Sequence, residues 1–212
     1  MTIQNRHSAY SVLEKTFPLK RDVPLSRFTS FKVGGPADLL ALPESQNDLV
    51  QILNAAKQLE VPVTLIGGGT NLLVTDNGIR GLVVVTRKLR SEITLTWNAY
   101  GNGIVQVDAG HLLSTLCRFA VFYSLSGLEF AAGIPGTVGG AVAMNAGTPS
   151  GQMSDTIQRL FMWNPDRQHI DSLHQADLDF TYRSLNTPGV IVAAELKLAK
   201  GDRNTIEQLS RQ

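Results

Sequence analysis

One cysteine in 212 residues, Cys117, leaves no internal disulfide to form, so a reducing compartment, the cytoplasm by default, is expected. Charge is also sparse, at 17% of residues, below the roughly 25% of an average soluble domain. Nineteen basic side chains against eighteen acidic ones give a formal net charge of +1. With no basic cluster beside that balance, there is no electrostatic footprint for nucleic acid. Apolar runs are short. Leu82 to Val85 is strand-sized, far from the roughly 20 residues of a membrane span, and residues 1–10 lack the apolar core of a signal peptide. At 43% hydrophobic, the chain is too apolar for extended disorder. These absences leave a soluble, cytoplasmic protein with no membrane and no nucleic-acid partner as the expectation.

Glycine is what the sequence has in quantity. Seven of the 19 glycines lie between Gly127 and Gly151, and Gly67, Gly68 and Gly69 are consecutive. Neither a collagen period nor Ser-rich low complexity accompanies them. Between these clusters the periodicity alternates. A short helix is expected over 8–17 and an extended segment over 32–42. A helix opening at Ser45, with Asp48 three residues on, carries Leu49, Ile52, Leu53, Ala56 and Leu59 on one face. Strands are expected over 62–66, 81–86, 93–97 and 103–109, followed by a helix over 112–123. Residues 156–163 and 168–172 pair as a hairpin around Asn164-Pro165-Asp166. A strand over 190–198 is expected to turn Val192, Ala194, Leu196 and Leu198 to one side. A last helix begins near Asn204 and reads as unfinished at Gln212. This alternation predicts α/β or α+β layers, with the internal boundary near 87–91.

Two segments could carry chemistry. Leu65 to Leu73 leaves a strand through the glycines and into Thr70-Asn71-Leu72. Successive amides without side chains suit an anion, and Thr70 and Asn71 add donors. Neither a Walker loop nor a G-x-G-x-x-G fingerprint fits. A tight structural turn accounts for the same residues equally well. The second segment, Gly133 to Gly147, is apolar, small and uncharged. A flat ligand lying across its backbone is favoured over a buried loop packed on a helix.

Taken with Phe28 to Asp38, Gly127 to Ala132 and Tyr182-Arg183, these segments resemble the UDP-N-acetylenolpyruvoylglucosamine reductases, in order and over residues 20–200. These are flavoenzymes that make UDP-N-acetylmuramate for peptidoglycan. The resemblance implies an α+β FAD-binding fold of the vanillyl-alcohol oxidase type. Its two α/β subdomains would span 1–90 and 91–200, with 201–212 starting a further segment. It implies FAD held by Gly67, Gly68, Gly69, Thr70, Asn71 and Leu72. Gly133, Ile134, Pro135, Gly136, Thr137, Gly139 and Gly140, with Asn145, Ala146 and Gly147, would complete the cradle. NADPH would be the hydride donor and UDP-N-acetylenolpyruvoylglucosamine the substrate. Arg183 would be the catalytic arginine and Tyr182 would shape the substrate site. A guanidinium suits that role, being permanently charged and able to grip a carboxylate with two parallel bonds.

The chain departs from the family pattern at Thr148-Pro149-Ser150, where Ala-Tyr-Gly is usual, and at Leu185, which displaces the serine after the Tyr-Arg pair. Family members also continue for roughly a hundred residues, a region carrying a proton-donating serine and a late glutamate. No residue of this sequence is assigned as general acid. Cys117, spaced with Leu113, Leu116 and Ala120, reads as core. His7, His111, His169 and His174 form no metal-ligand spacing. Asp177 and Asp179 read as turn residues, and Trp97 and Trp163 as packing residues.

Overall fold

The structure, a computed structural model, describes residues 3–210. It divides the chain into two compact units. The first comprises the chain through Leu89 together with 165–169. Its elements are α1 (Ile3–Thr16), β1 (Lys20–Pro24), β2 (Pro36–Ala41), α2 (Gln46–Gln58), β3 (Val63–Ile66) and β4 (Ile79–Val85). The sheet order is β1-β2-β4-β3. β2 and β3 flank β4 in parallel, and β1 adds antiparallel to β2. A central parallel strand is covered on both faces, which is why Leu82 to Val85 are apolar without alternation and all buried.

α2 follows the sequence pattern closely. Leu49, Ile52, Leu53 and Ala56 are buried along one stripe. Ser45 Oγ accepts from the Asp48 amide at 3.1 Å, and Asp48 Oδ2 accepts from the Ser45 amide at 3.1 Å. This reciprocal pair satisfies two amides that the first helical turn would otherwise leave open. Ser45→Ala should therefore cost about 1 kcal/mol, read as a lower urea midpoint with an unchanged slope. α1 is tied down by the Tyr10 hydroxyl, which donates to Asp38 Oδ2 at 2.9 Å. The same carboxylate accepts from the Gly81 amide and pairs with Arg80.

The second unit comprises 90–164 and the chain from Ile170. It contains β5 (Thr94–Trp97), β6 (Gly103–Asp108), α3 (Leu113–Phe122), β7 (Leu125–Ser126) and α4 (Val138–Ala143). β8 (Gly147–Thr148), β9 (Gly151–Gln152), β10 (Ile157–Asn164), β11 (His169–His174), β12 (Phe180–Thr181) and β13 (Ser184–Leu185) follow. The last elements are β14 (Val190–Lys200) and α5 (Arg203–Leu209). The main sheet runs β11-β10-β14-β6-β5, with β7 also on β14. β14 lies between antiparallel β10 and β6, and Val192, Ala194, Leu196 and Leu198 are buried as the alternation predicts. α3 buries Leu113, Leu116, Cys117 and Ala120.

One expectation changes. Trp163 is buried, but Trp97 is 49% exposed. It ends the edge strand β5 beside the Asn98–Asn102 turn, where no neighbouring strand covers it. The 125–151 stretch, without period in sequence, contains α4. Six residues of Gly, Ala and Val are too few to nucleate a helix alone. Packing of Val138, Ala141 and Val142 into the core and the Thr137 cap hold it instead.

Burial pushes the Cys117 thiol from its ordinary 9.0 up to about 11. Between these values the folded chain holds a proton that the unfolded chain releases, so stability falls as pH rises through that window. Cys117→Ala should lack this component, and wild-type Cys117 should react with a thiol reagent at pH 8 only after denaturation. Equal labelling of native and denatured chain would contradict the burial.

Candidate functional site

In the first unit, β3 delivers its chain directly into Gly67. Of the three consecutive glycines only Gly69 takes a positive φ, 68°. A Cβ there would lie 1.9 Å from the Phe28 carbonyl oxygen. The Ser30 amide donates to the Gly69 carbonyl at 2.9 Å, and Ser30 Oγ donates to it at 3.2 Å. The loop is thus clamped by the 28–30 segment, a partnership formed across 39 positions that periodicity cannot reveal. Clamping leaves a consequence for function. The amides of Gly68, Gly69 and Asn71 donate to no protein acceptor among the described residues. Amides left open on such backbone are chemically suited to an anion.

The second unit builds a comparable loop. The Leu113 amide donates to the Gly136 carbonyl at 3.0 Å, and the Val138 amide donates to the His111 carbonyl at 2.8 Å. The Gly139 amide donates to the Ala109 carbonyl at 2.9 Å, and a Cβ on Gly139 would meet the Ala109 Cβ at 2.7 Å. Gly139 is therefore a close-approach glycine, packing the start of α4 on the end of β6. Gly133 and Gly136 have φ of 83° and 124°. Their amides also lack protein acceptors among the described residues, and a Cβ on Gly133 would meet nothing within 4 Å. Thr137 is fully buried as the α4 cap, its Oγ1 accepting from the Gly140 amide at 3.4 Å.

Asn145 is 3% exposed with φ of 38°. Its Nδ2 donates to Gln152 Oε1 and to the Thr181 carbonyl, both at 3.1 Å. Its Oδ1 accepts from the Ser154 amide at 3.0 Å. The side chain thus joins the end of the glycine segment to the β12–β13 hairpin. That hairpin turns through Tyr182 and Arg183, with Thr181 opposite Ser184. Arg183 has φ of 59°, a left-handed position that costs a non-glycine residue about 1–2 kcal/mol. Tyr182 is 88% exposed, and the Arg183 guanidinium lies 5.8 Å from its ring centroid. Ser184 Oγ donates to Asn186 Oδ1 at 2.8 Å, so its proton is committed within the hairpin.

Gln152 and Thr181 had no signal in the sequence, because their partnership with Asn145 exists only in three dimensions. Among the described residues no group of His, Cys, Asp and Glu could hold a metal ion, and no helix is long and apolar enough to cross a membrane.

Residues 37–171 match a family model described as an FAD binding domain. The chain is 42% identical over 189 residues to the UDP-N-acetylenolpyruvoylglucosamine reductase of Syntrophus aciditrophicus, covering 87% of this chain and 59% of that protein. It is 36% identical over 209 residues to the reductase of Alkaliphilus oremlandii, covering 96% and 67%. Among solved structures it is similar to UDP-N-acetylenolpyruvylglucosamine reductase from Thermus caldophilus. There the TM-score is 0.75 at 32% identity, over 91% of this chain and 66% of the other. The chain thus spans about 60% of the length of the first of these relatives.

Proposed function

Because this chain belongs to the UDP-N-acetylenolpyruvoylglucosamine reductase family and carries its FAD-binding domain, we propose that it serves the flavin half of that reduction in peptidoglycan precursor synthesis. The fold is the FAD-binding fold of the vanillyl-alcohol oxidase type. The proposal rests on the glycine loop of the first unit, whose open amides at Gly68, Gly69 and Asn71 suit the pyrophosphate of a dinucleotide, and separately on that of the second unit, open at Gly133 and Gly136. Bound FAD would take hydride from NADPH and supply it to the enolpyruvyl double bond of UDP-N-acetylenolpyruvoylglucosamine.

The remaining roles belong to the chain. Open amides of the first loop would hold the phosphate oxygens of the dinucleotide, with Thr70 and Asn71 beside them. The second loop presents backbone without side-chain bulk at Gly133, so a flat ring can lie against it. Arg183 is exposed and permanently charged, free to grip the substrate carboxylate and to stabilise negative charge that builds as the double bond is reduced. Asn145 holds the hairpin that carries Arg183 and Tyr182. We assign no general acid within these residues.

The test is anaerobic addition of NADPH to the flavin-loaded chain, followed by the enolpyruvyl sugar. Bleaching at the first step and recovery of the flavin bands at the second is the expected result. Arg183→Ala should bleach normally and recover about 10²–10³-fold more slowly. The alternative is an FAD-binding module without turnover. Bands that bleach and never recover with the sugar would support it, and bands that do not bleach would overturn hydride entry altogether.

A further inference from the structure

The first unit contains a cavity of about 480 Å³ lined by Arg27, Lys32 and Arg87, by the hydroxyl residues Ser26 and Ser30, and by Gly68. No carboxylate lines it. Among the described residues, none of the three cations forms an ion pair or a side-chain hydrogen bond. Arg87 is the most constrained. Its guanidinium lies 5.7 Å from the Phe28 ring centroid, and its Nε is shut off from solvent with no partner. A closed-off guanidinium donor is costly unless something accepts from it. Three like charges around one concavity also repel each other until an anion offsets them.

We infer that this cavity is a binding site for a terminal phosphate monoester. A carboxylate offers two oxygens and one charge, which leaves cations over. The phosphates of a pyrophosphate diester carry one charge each. A monoester carries about −1.5 to −2 near neutral pH and presents three oxygens, which matches three cations with the Ser26 hydroxyl alongside, the Ser30 hydroxyl being given to the Gly69 carbonyl. Arginine adds a planar fork suited to phosphate. The volume is larger than a phosphate alone and admits the sugar that bears it. Backbone amides do the work in the glycine loop, whereas side-chain charge does it here, and Gly68 borders both. The 2′-phosphate of NADPH and the phosphate of a free metabolite share this chemistry.

The probe is 2′-AMP, titrated into the full chain by calorimetry beside adenosine. 2′-AMP should bind at least about tenfold tighter than adenosine, weaken with added salt, and compete with inorganic phosphate. Arg87→Gln and Lys32→Gln should each weaken 2′-AMP about tenfold while the unfolding midpoint stays level or rises. Equal affinity for 2′-AMP and adenosine would overturn the site, as would 2′-AMP affinity untouched by both substitutions. Parallel titrations with NADPH and NADH identify the source. A preference for NADPH that collapses in both variants marks the nicotinamide nucleotide. Variants that lose 2′-AMP but keep that preference mark a free phosphorylated metabolite. FAD uptake by the same variants should be unchanged, and uptake lost with 2′-AMP binding intact would overturn the separation. The inference does not depend on the flavin reading, since 2′-AMP is titrated whether or not the chain takes up FAD.

Discussion

Gly69→Val should remove FAD uptake and cost roughly 3 kcal/mol or more of stability. Two independent penalties converge at this residue. Its φ of 68° is left-handed, which strains a β-branched residue most. Its Cβ would also sit 1.9 Å from the Phe28 carbonyl oxygen, a backbone atom that cannot swing aside as a side-chain tip can. Relief requires the loop to part from the 28–30 segment, breaking both bonds that Ser30 makes to the Gly69 carbonyl. The amides of Gly68 and Asn71 then lose the loop conformation in which they stand open. Urea unfolding and FAD titration on the same sample check the two effects. A variant with native stability and native FAD affinity would show that the clamp is not what shapes the loop. Gly133→Ala is the informative contrast. Its Cβ meets nothing within 4 Å, so only the strain of its positive φ applies and the expected loss is about 1–2 kcal/mol.

Asn145→Ala should cost about 2–4 kcal/mol and detach the Tyr182–Arg183 hairpin from the end of the glycine segment. The substitution strands the Ser154 amide and the Thr181 carbonyl, and it leaves Gln152 without its donor. The buried Ser154 amide left open costs more than its bond was worth, because water cannot replace the partner there, whereas the exposed Gln152 and Thr181 can turn to water. Asn145→Gly separates the side chain from the backbone. Glycine accepts the φ of 38° without strain, so whatever loss remains belongs to the three hydrogen bonds. Flavin uptake should survive better than turnover in the glycine variant, because the hairpin carries Arg183, the arginine we propose to grip the substrate. Flavin uptake and turnover lost in equal proportion would place Asn145 against the cofactor rather than behind the hairpin.

Local patterns survived folding where one element decided its own fate. α2 announced itself through Ser45, Asp48 and the spacing of Leu49, Ile52, Leu53 and Ala56, all of them neighbours along the chain. β14 did so through simple alternation. The glycine loop after β3 was legible as a place where backbone must do something unusual, yet not which glycine does it. Only Gly69 needs its missing side chain for a positive φ, and the reason is Phe28, which lies far away in sequence. α4 was illegible because its stability comes from the core around it rather than from its own residues. The cavity of Arg27, Lys32 and Arg87 was illegible for the same cause. Scattered single cations read as solvated surface until β4 and the loop after β1 bring them around one space. Asn145 was singled out as a residue at the cofactor loop, whereas its partners at Gln152, Ser154 and Thr181 emerge only from tertiary structure.

The most direct test of the flavin reading is the visible absorption spectrum of the purified chain after incubation with FAD and removal of the unbound cofactor. Flavin bands that remain with the protein, and that disappear in Gly69→Val, are the predicted result. A folded wild-type chain that retains no flavin bands after that treatment would contradict the cradle assigned to its glycine loops.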